Sequence, residues 1–125
     1  MINIRGLKDN IDPNYRYKMN KINIEKERNT YICNNIKDIA KDLNRDVNNI
    51  IIYIKKKIGI NIIYKNDKAY IIKQISEEEI QKIIYEYIEN KVLCKRCANP
   101  ETYIIKEKKE EIKCCKSCNY QEIIL

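Results

Sequence analysis

Apolar positions along the chain change period several times, and each change marks an element. Ile22 and Ile24 alternate with polar neighbours, as do Tyr31 and Cys33, which predicts two short strands around a polar turn at 25–29. The spacing then becomes helical. Ile36, Ile39, Ala40 and Leu43 form one stripe ending near Asn44-Arg45; Val47, Ile50, Ile51, Ile54 and Ile58 form a second that stops at Gly59. Residues 60–64 and 69–73 flank Lys65-Asn66-Asp67-Lys68, a hairpin signal. Ser76 followed by Glu79 is a capping box, and Ile80, Ile83, Ile84, Tyr87 and Ile88 make the core stripe of a third helix. Near the end, Thr102 to Ile105 is strand-prone, 106–111 is a charged turn region, Ile112 onward returns, and 120–125 supplies a third strand.

Residues 1–19 lack sustained periodicity and read as an extended arm, ordered where it meets a partner. The expectation is therefore an α+β chain: an arm over 1–19, a small mixed α/β core over 20–92, and a metal-stapled module over 93–125. No run of about 18 apolar residues exists, which argues against a membrane span. The N-terminal residues show no signal-peptide core, so a cytoplasmic, monomeric protein with reduced thiols is expected.

Cysteine spacing carries the sharpest chemistry. Cys94-Lys95-Arg96-Cys97 and Cys115-Lys116-Ser117-Cys118 are two C-x₂-C knuckles with 17 residues between them. Two such knuckles joined by a hairpin supply four thiolates to one tetrahedral Zn²⁺ and leave no open coordination position. The predicted cofactor is one structural zinc ion in a four-cysteine ribbon; two disulfides are the alternative. Cys33 reads as a small core residue and Cys114 as an ordinary strand residue, although Cys114 in place of Cys115 would give a C-x₃-C spacing.

Composition changes the picture in two ways. The chain has no His, Phe or Trp, so a His-dependent catalytic triad is impossible. Its formal charge of +7 is uneven: residues 1–75 hold sixteen Lys and Arg against eight Asp and Glu, residues 76–125 nine against ten. A basic N-terminal part points to a polyanion-facing surface, or to a solubility charge in a lysine-rich composition. Acidic residues cluster at the start of the third helix and at 107–111, where capping and solvation account for them. The only glycines are Gly6 and Gly59, so no phosphate-cradling loop exists and the chain is expected neither to bind GTP nor to be an enzyme.

Several separated segments together resemble the N-terminal domain of eukaryotic translation initiation factor 5: Met1-Ile2-Asn3-Ile4, Asp12-Pro13-Asn14-Tyr15-Arg16-Tyr17-Lys18-Met19, the run from Asp38 to Arg45, the run from Lys91 to Thr102, and Cys115-Lys116-Ser117-Cys118. The beta subunit of initiation factor 2 is similar in core and ribbon, but the arm and the Asn99-Pro100-Glu101-Thr102 sequence look more like factor 5. The resemblance implies a core similar to translation initiation factor 1. It also implies action on the preinitiation complex, with the small ribosomal subunit, initiator tRNA and the GTP-bound gamma subunit of initiation factor 2 as partners. Within it, the family's arginine finger, which promotes GTP hydrolysis in trans, maps onto Arg16. Candidate RNA or partner contacts are Tyr15, Lys18, Lys26, Arg28, Arg45, Lys55, Lys56 and Lys57.

The sequence departs from that pattern in places. The family's Gly-rich loop is shortened to Glu25-Lys26-Glu27-Arg28-Asn29-Thr30, with Asn29 where a lysine is expected. A second functional lysine aligns with Ile52, and Asn20 replaces a proline. The sequence ends just after the ribbon, without the family's C-terminal helical domain, so binding is expected through core and arm. Alternatives are a non-catalytic ribosome or tRNA-binding module and a beta-subunit-like partner of the GTPase.

Overall fold

The structure is a computed structural model that describes residues 2–4 and 17–124. Strands β1 (Ile2–Asn3) and β2 (Lys18–Met19) pair antiparallel, with Ile2 opposite Met19. Ile4 N–H donates to the Tyr17 carbonyl at 3.0 Å, and Ile4 and Met19 are both buried in the main core. The expected free arm is thus anchored where it starts and where it ends.

The core is a four-stranded antiparallel sheet in the order β3-β4-β6-β5, built from β3 (Ile24–Glu27), β4 (Thr30–Cys33), β5 (Ile62–Lys65) and β6 (Lys68–Ile71). Strand β3 extends through most of the segment read as polar turn; only Arg28 and Asn29 turn, with Arg28 at φ 56°. Polar composition obscured this strand because its outer edge faces solvent and needs no apolar residues. The second hairpin closes on Asn66 and Asp67, both at positive φ, as a two-residue turn whose twist matches its strands requires.

Register decides which face is covered. Ile24, Cys33, Ala69 and Tyr64 form one cross-strand row, and Tyr31, Ile71 and Ile62 the next on the same face. Helices α1 (Ile36–Asp42), α2 (Val47–Ile58) and α3 (Glu77–Tyr87) add isoleucines to the core beside those of the strands, with Ile36, Ile39, Ile50, Ile80 and Ile84 all fully buried. Each such side chain stabilises the fold by roughly 1.5–3 kcal/mol relative to exposure.

Helix ends follow local chemistry. Asp46 caps α2 by accepting from Asn48 N–H, and Gly59 ends it in the left-handed conformation at φ 70°. Ser76 Oγ accepts from Glu79 N–H and starts α3. Helix α3 also protects the sheet edge: Gln81 Oε1 accepts from Ile22 N–H, and Glu77 Oε2 from Ile24 N–H, each at 2.9 Å. The helix then loosens into a π-helical turn over Ile88–Val92, which the sequence pattern did not predict. Three antiparallel strands complete the chain, β7 (Thr102–Glu107), β8 (Glu110–Cys115) and β9 (Gln121–Ile123) in sequential order. No described helix is long and apolar enough to cross a membrane.

Candidate metal centre

The β7–β8 register sets Thr102 opposite Cys115, which brings the second knuckle beside the strand leaving the first. Both knuckles then fold alike. Ala98 N–H donates to the Cys94 carbonyl at 2.8 Å and Cys94 N–H to the Asn99 carbonyl at 3.0 Å. In the second, Asn119 N–H donates to the Cys115 carbonyl and Cys115 N–H to the Tyr120 carbonyl, both at 3.0 Å. Ala98 and Asn119, each just after the second cysteine of its knuckle, take φ 59° and 61°. These left-handed residues turn the chain back so that both sulfurs of a knuckle face the same point.

The result is one cluster of four sulfurs, Cys94, Cys97, Cys115 and Cys118, all within 4.8 Å of one another. Cys94 and Cys118 sulfurs are 3.6 Å apart, as are those of Cys97 and Cys115. Four ligands at about 2.3 Å on a tetrahedron stand about 3.8 Å apart, so the arrangement fits a metal ion. It does not fit disulfides, whose sulfurs lie about 2.05 Å apart. The thiols also influence one another. Burial raises the Cys94 thiol, but N–H groups of Cys97 and Arg96 and the neighbouring thiols bring it down to about 7. Cys97 accepts from Asn99 N–H, which lowers it, yet burial and the three other thiols push it up to about 12.

Cys114 stands outside the cluster. It is buried on the opposite face of β8, across from Tyr103 and Gln121. Cys33 lies in the main core, where burial pushes its thiol up to about 12 and makes it a poor nucleophile.

The basic residues divide into three groups. Arg28 lies exposed at the β3–β4 turn and Lys26 sits 5.8 Å over the Tyr31 ring. Lys55, Lys56 and Lys57 occupy the last turn of α2, with Lys57 also 3.5 Å from Glu86. Because α2 runs directly into β5, this helix end and the Arg28 turn share one end of the sheet. Lys18 lies on β2 opposite Asn3, away from them in the pairing. Tyr15 and Arg16 lie outside the described residues.

Arg45 corrects the expectation of a surface contact. It is 9 % exposed, and its guanidinium donates to the carbonyls of Leu43, Asn44, Lys91 and Thr102 and to the Thr102 hydroxyl. Both of its terminal nitrogens donate internally. Sequence reasoning also missed Lys113, which is 4 % exposed and donates to the Leu93 carbonyl at 2.5 Å. The available signal was parity: Lys113 lies two residues before Cys115 and so shares its inward face.

The family model for the domain found in initiation factors 2B and 5 matches residues 7–121. The chain belongs to this family. Within this initiation-factor family it is 32 % identical to translation initiation factor 2 subunit beta of Picrophilus torridus, over 87 % of this chain and 53 % of that protein. The corresponding subunit of Archaeoglobus fulgidus is 31 % identical over 82 % of this chain and 75 % of its own length. Eukaryotic translation initiation factor 5 of Saccharomyces cerevisiae is 35 % identical over 94 % of this chain and 31 % of its own length. The chain thus spans about half of the Picrophilus protein and under a third of the yeast one.

Proposed function

We propose that this chain is a translation initiation factor of the factor 5 type, stimulating GTP hydrolysis in trans on the gamma subunit of initiation factor 2 within the preinitiation complex. Arg16 is the proposed finger. A guanidinium supplied to the phosphates neutralises charge that develops toward the leaving oxygen, and its planar donors suit phosphate geometry. The observation that carries the reading is the family match, together with the Asp12-to-Met19 segment that resembles factor 5. The anchored strands β1 and β2 support it, because they tether the Arg16 segment to a folded body.

The metal is zinc and its role is structural: four thiolates fill a tetrahedral shell and leave no position for water. The basic end of the sheet, with Arg28 and Lys55 to Lys57, is proposed to contact initiator tRNA or small-subunit RNA. The test is multiple-turnover GTP hydrolysis in a reconstituted initiation complex. Arg16→Ala is expected to lower the stimulated rate by about 10³-fold or more. An unchanged rate removes the finger role.

The archaeal relatives favour a second reading, that of a beta-subunit-like partner of the GTPase. It predicts a stable one-to-one complex with the gamma subunit without ribosomes, insensitive to Arg16→Ala.

A further inference from the structure

Arg45 reaches from the α1–α2 corner into the joint between core and ribbon. Its Nη1 donates to Thr102 O at 2.9 Å, and its Nη2 to Thr102 Oγ1 at 2.6 Å and Lys91 O at 3.2 Å. Thr102 Oγ1 passes the contact on by donating to the Val92 carbonyl. Lys91 and Val92 lie on the limb entering the first knuckle, and Thr102 lies on the limb leaving it. One guanidinium therefore grips both limbs that present Cys94 and Cys97. The same side chain holds Leu43 O and Asn44 O, so the corner from which α2 starts is part of the grip.

All of these acceptors are uncharged, which is a costly setting for a buried cation. Lys113 repeats the pattern on the ribbon side, donating to Leu93 O. Burial lowers the proton affinity of Arg45, and Glu122 lines the same small pocket as Lys113, Cys94 and Cys115. Glu122 is itself bridged to Lys95 at 2.7 Å. One divalent ion with four thiolates carries a net charge of −2, a centre that would favour cations in the joint.

We propose that Arg45 positions the first knuckle for the metal, with Lys113 as a second counter-charge, so that metal occupancy and docking of the ribbon on the core are one coupled equilibrium. Coupling runs both ways: the latch tightens the site, and the filled site tightens the α1–α2 corner. This rests on the metal reading above and is tested separately from it.

The experiment uses the full chain in four forms: wild type, Arg45→Met, Thr102→Val and, as a control, Ile50→Val. Zinc affinity is measured by competition with a chromogenic chelator, and amide exchange over 40–49 is followed with zinc and after chelation. Arg45→Met is expected to weaken zinc about 10- to 100-fold, the range for groups that orient ligands. Thr102→Val weakens it less, and Ile50→Val leaves it within about twofold of wild type. Chelation speeds exchange over 40–49 in wild type but not in Arg45→Met. If Arg45→Met shows no cooperative melt, Thr102→Val decides. The proposal is overturned if both joint variants bind zinc as wild type does, or if chelation leaves exchange over 40–49 in wild type unchanged. A wild type that binds no zinc removes the metal reading as well.

Discussion

Cys114 and Cys115 are neighbours in sequence, yet their substitution should give opposite results. Cys115 belongs to the sulfur cluster, while Cys114 is buried on the other face of β8 against Tyr103 and Gln121. A metal that binds only the folded chain stabilises it by about 2.7 kcal/mol when free zinc is a hundred times the dissociation constant. For a chain of this size that is about 10 °C, taking roughly 4 °C per kcal/mol. Wild type should therefore melt about 10 °C higher at that zinc concentration than after chelation. Cys115→Ser should lose this increment and its bound zinc. Cys114→Ser should keep both. Its cost is different: a buried hydroxyl without a partner destabilises by about 1–3 kcal/mol, a roughly constant lowering of the melting temperature at every zinc concentration. Zinc-dependent melts with elemental analysis of both variants make the comparison. The opposite pattern, with Cys114→Ser abolishing the zinc increment while Cys115→Ser retains it, would refute the assignment, since the knuckle would then use the C-x₃-C spacing.

Other outcomes follow from the core and its titrating groups. Ile71→Ala, at a fully buried position on central strand β6, should cost about 2–5 kcal/mol in urea unfolding, with the metal still bound. Ser76→Ala removes the cap of α3 and should cost about 1 kcal/mol in the same assay. Burial pushes Cys33 and Tyr87 up to about 12, from ordinary values of 9.0 and 10.0. Above pH 9 the unfolded chain loses these protons before the folded one, so stability should fall as pH rises from about 9 toward 12. Urea midpoints at pH 8 and 10.5 check the sign, and Cys33→Ala should reduce the slope.

Local signals in the sequence were strong where chemistry is local. The Gly59 stop, the Ser76 cap and the Asn66-Asp67 turn each depend on residues within one turn of chain, and each lies where the pattern put it. The four clustered cysteines were legible from spacing because a tetrahedral centre constrains spacing. The burial of Arg45 is not legible in the sequence because the acceptors that hold it in the joint, Lys91 O and Thr102, lie 46 and 57 residues away, and an arginine in a basic stretch carries no mark of burial. Lys113 was missed likewise, since its acceptor is a carbonyl 20 residues back. Strand β3 was read too short because Glu25, Lys26 and Glu27 form an edge that stays in water, where period-two apolarity is not required.

One small contact has a wider reach than its size suggests. The Tyr17 hydroxyl accepts from Asn99 Nδ2 at 3.1 Å, and Asn99 also closes the first knuckle through its carbonyl. Tyr17 follows Arg16 directly, so the hinge of the proposed finger hangs from the loop that wraps the cysteine cluster. Stripping the ion should then be felt at the proposed Arg16 finger through this contact, and Tyr17→Phe, which leaves the Glu101 N–H to Asn99 Oδ1 bond in place, is the lighter cut that separates the two.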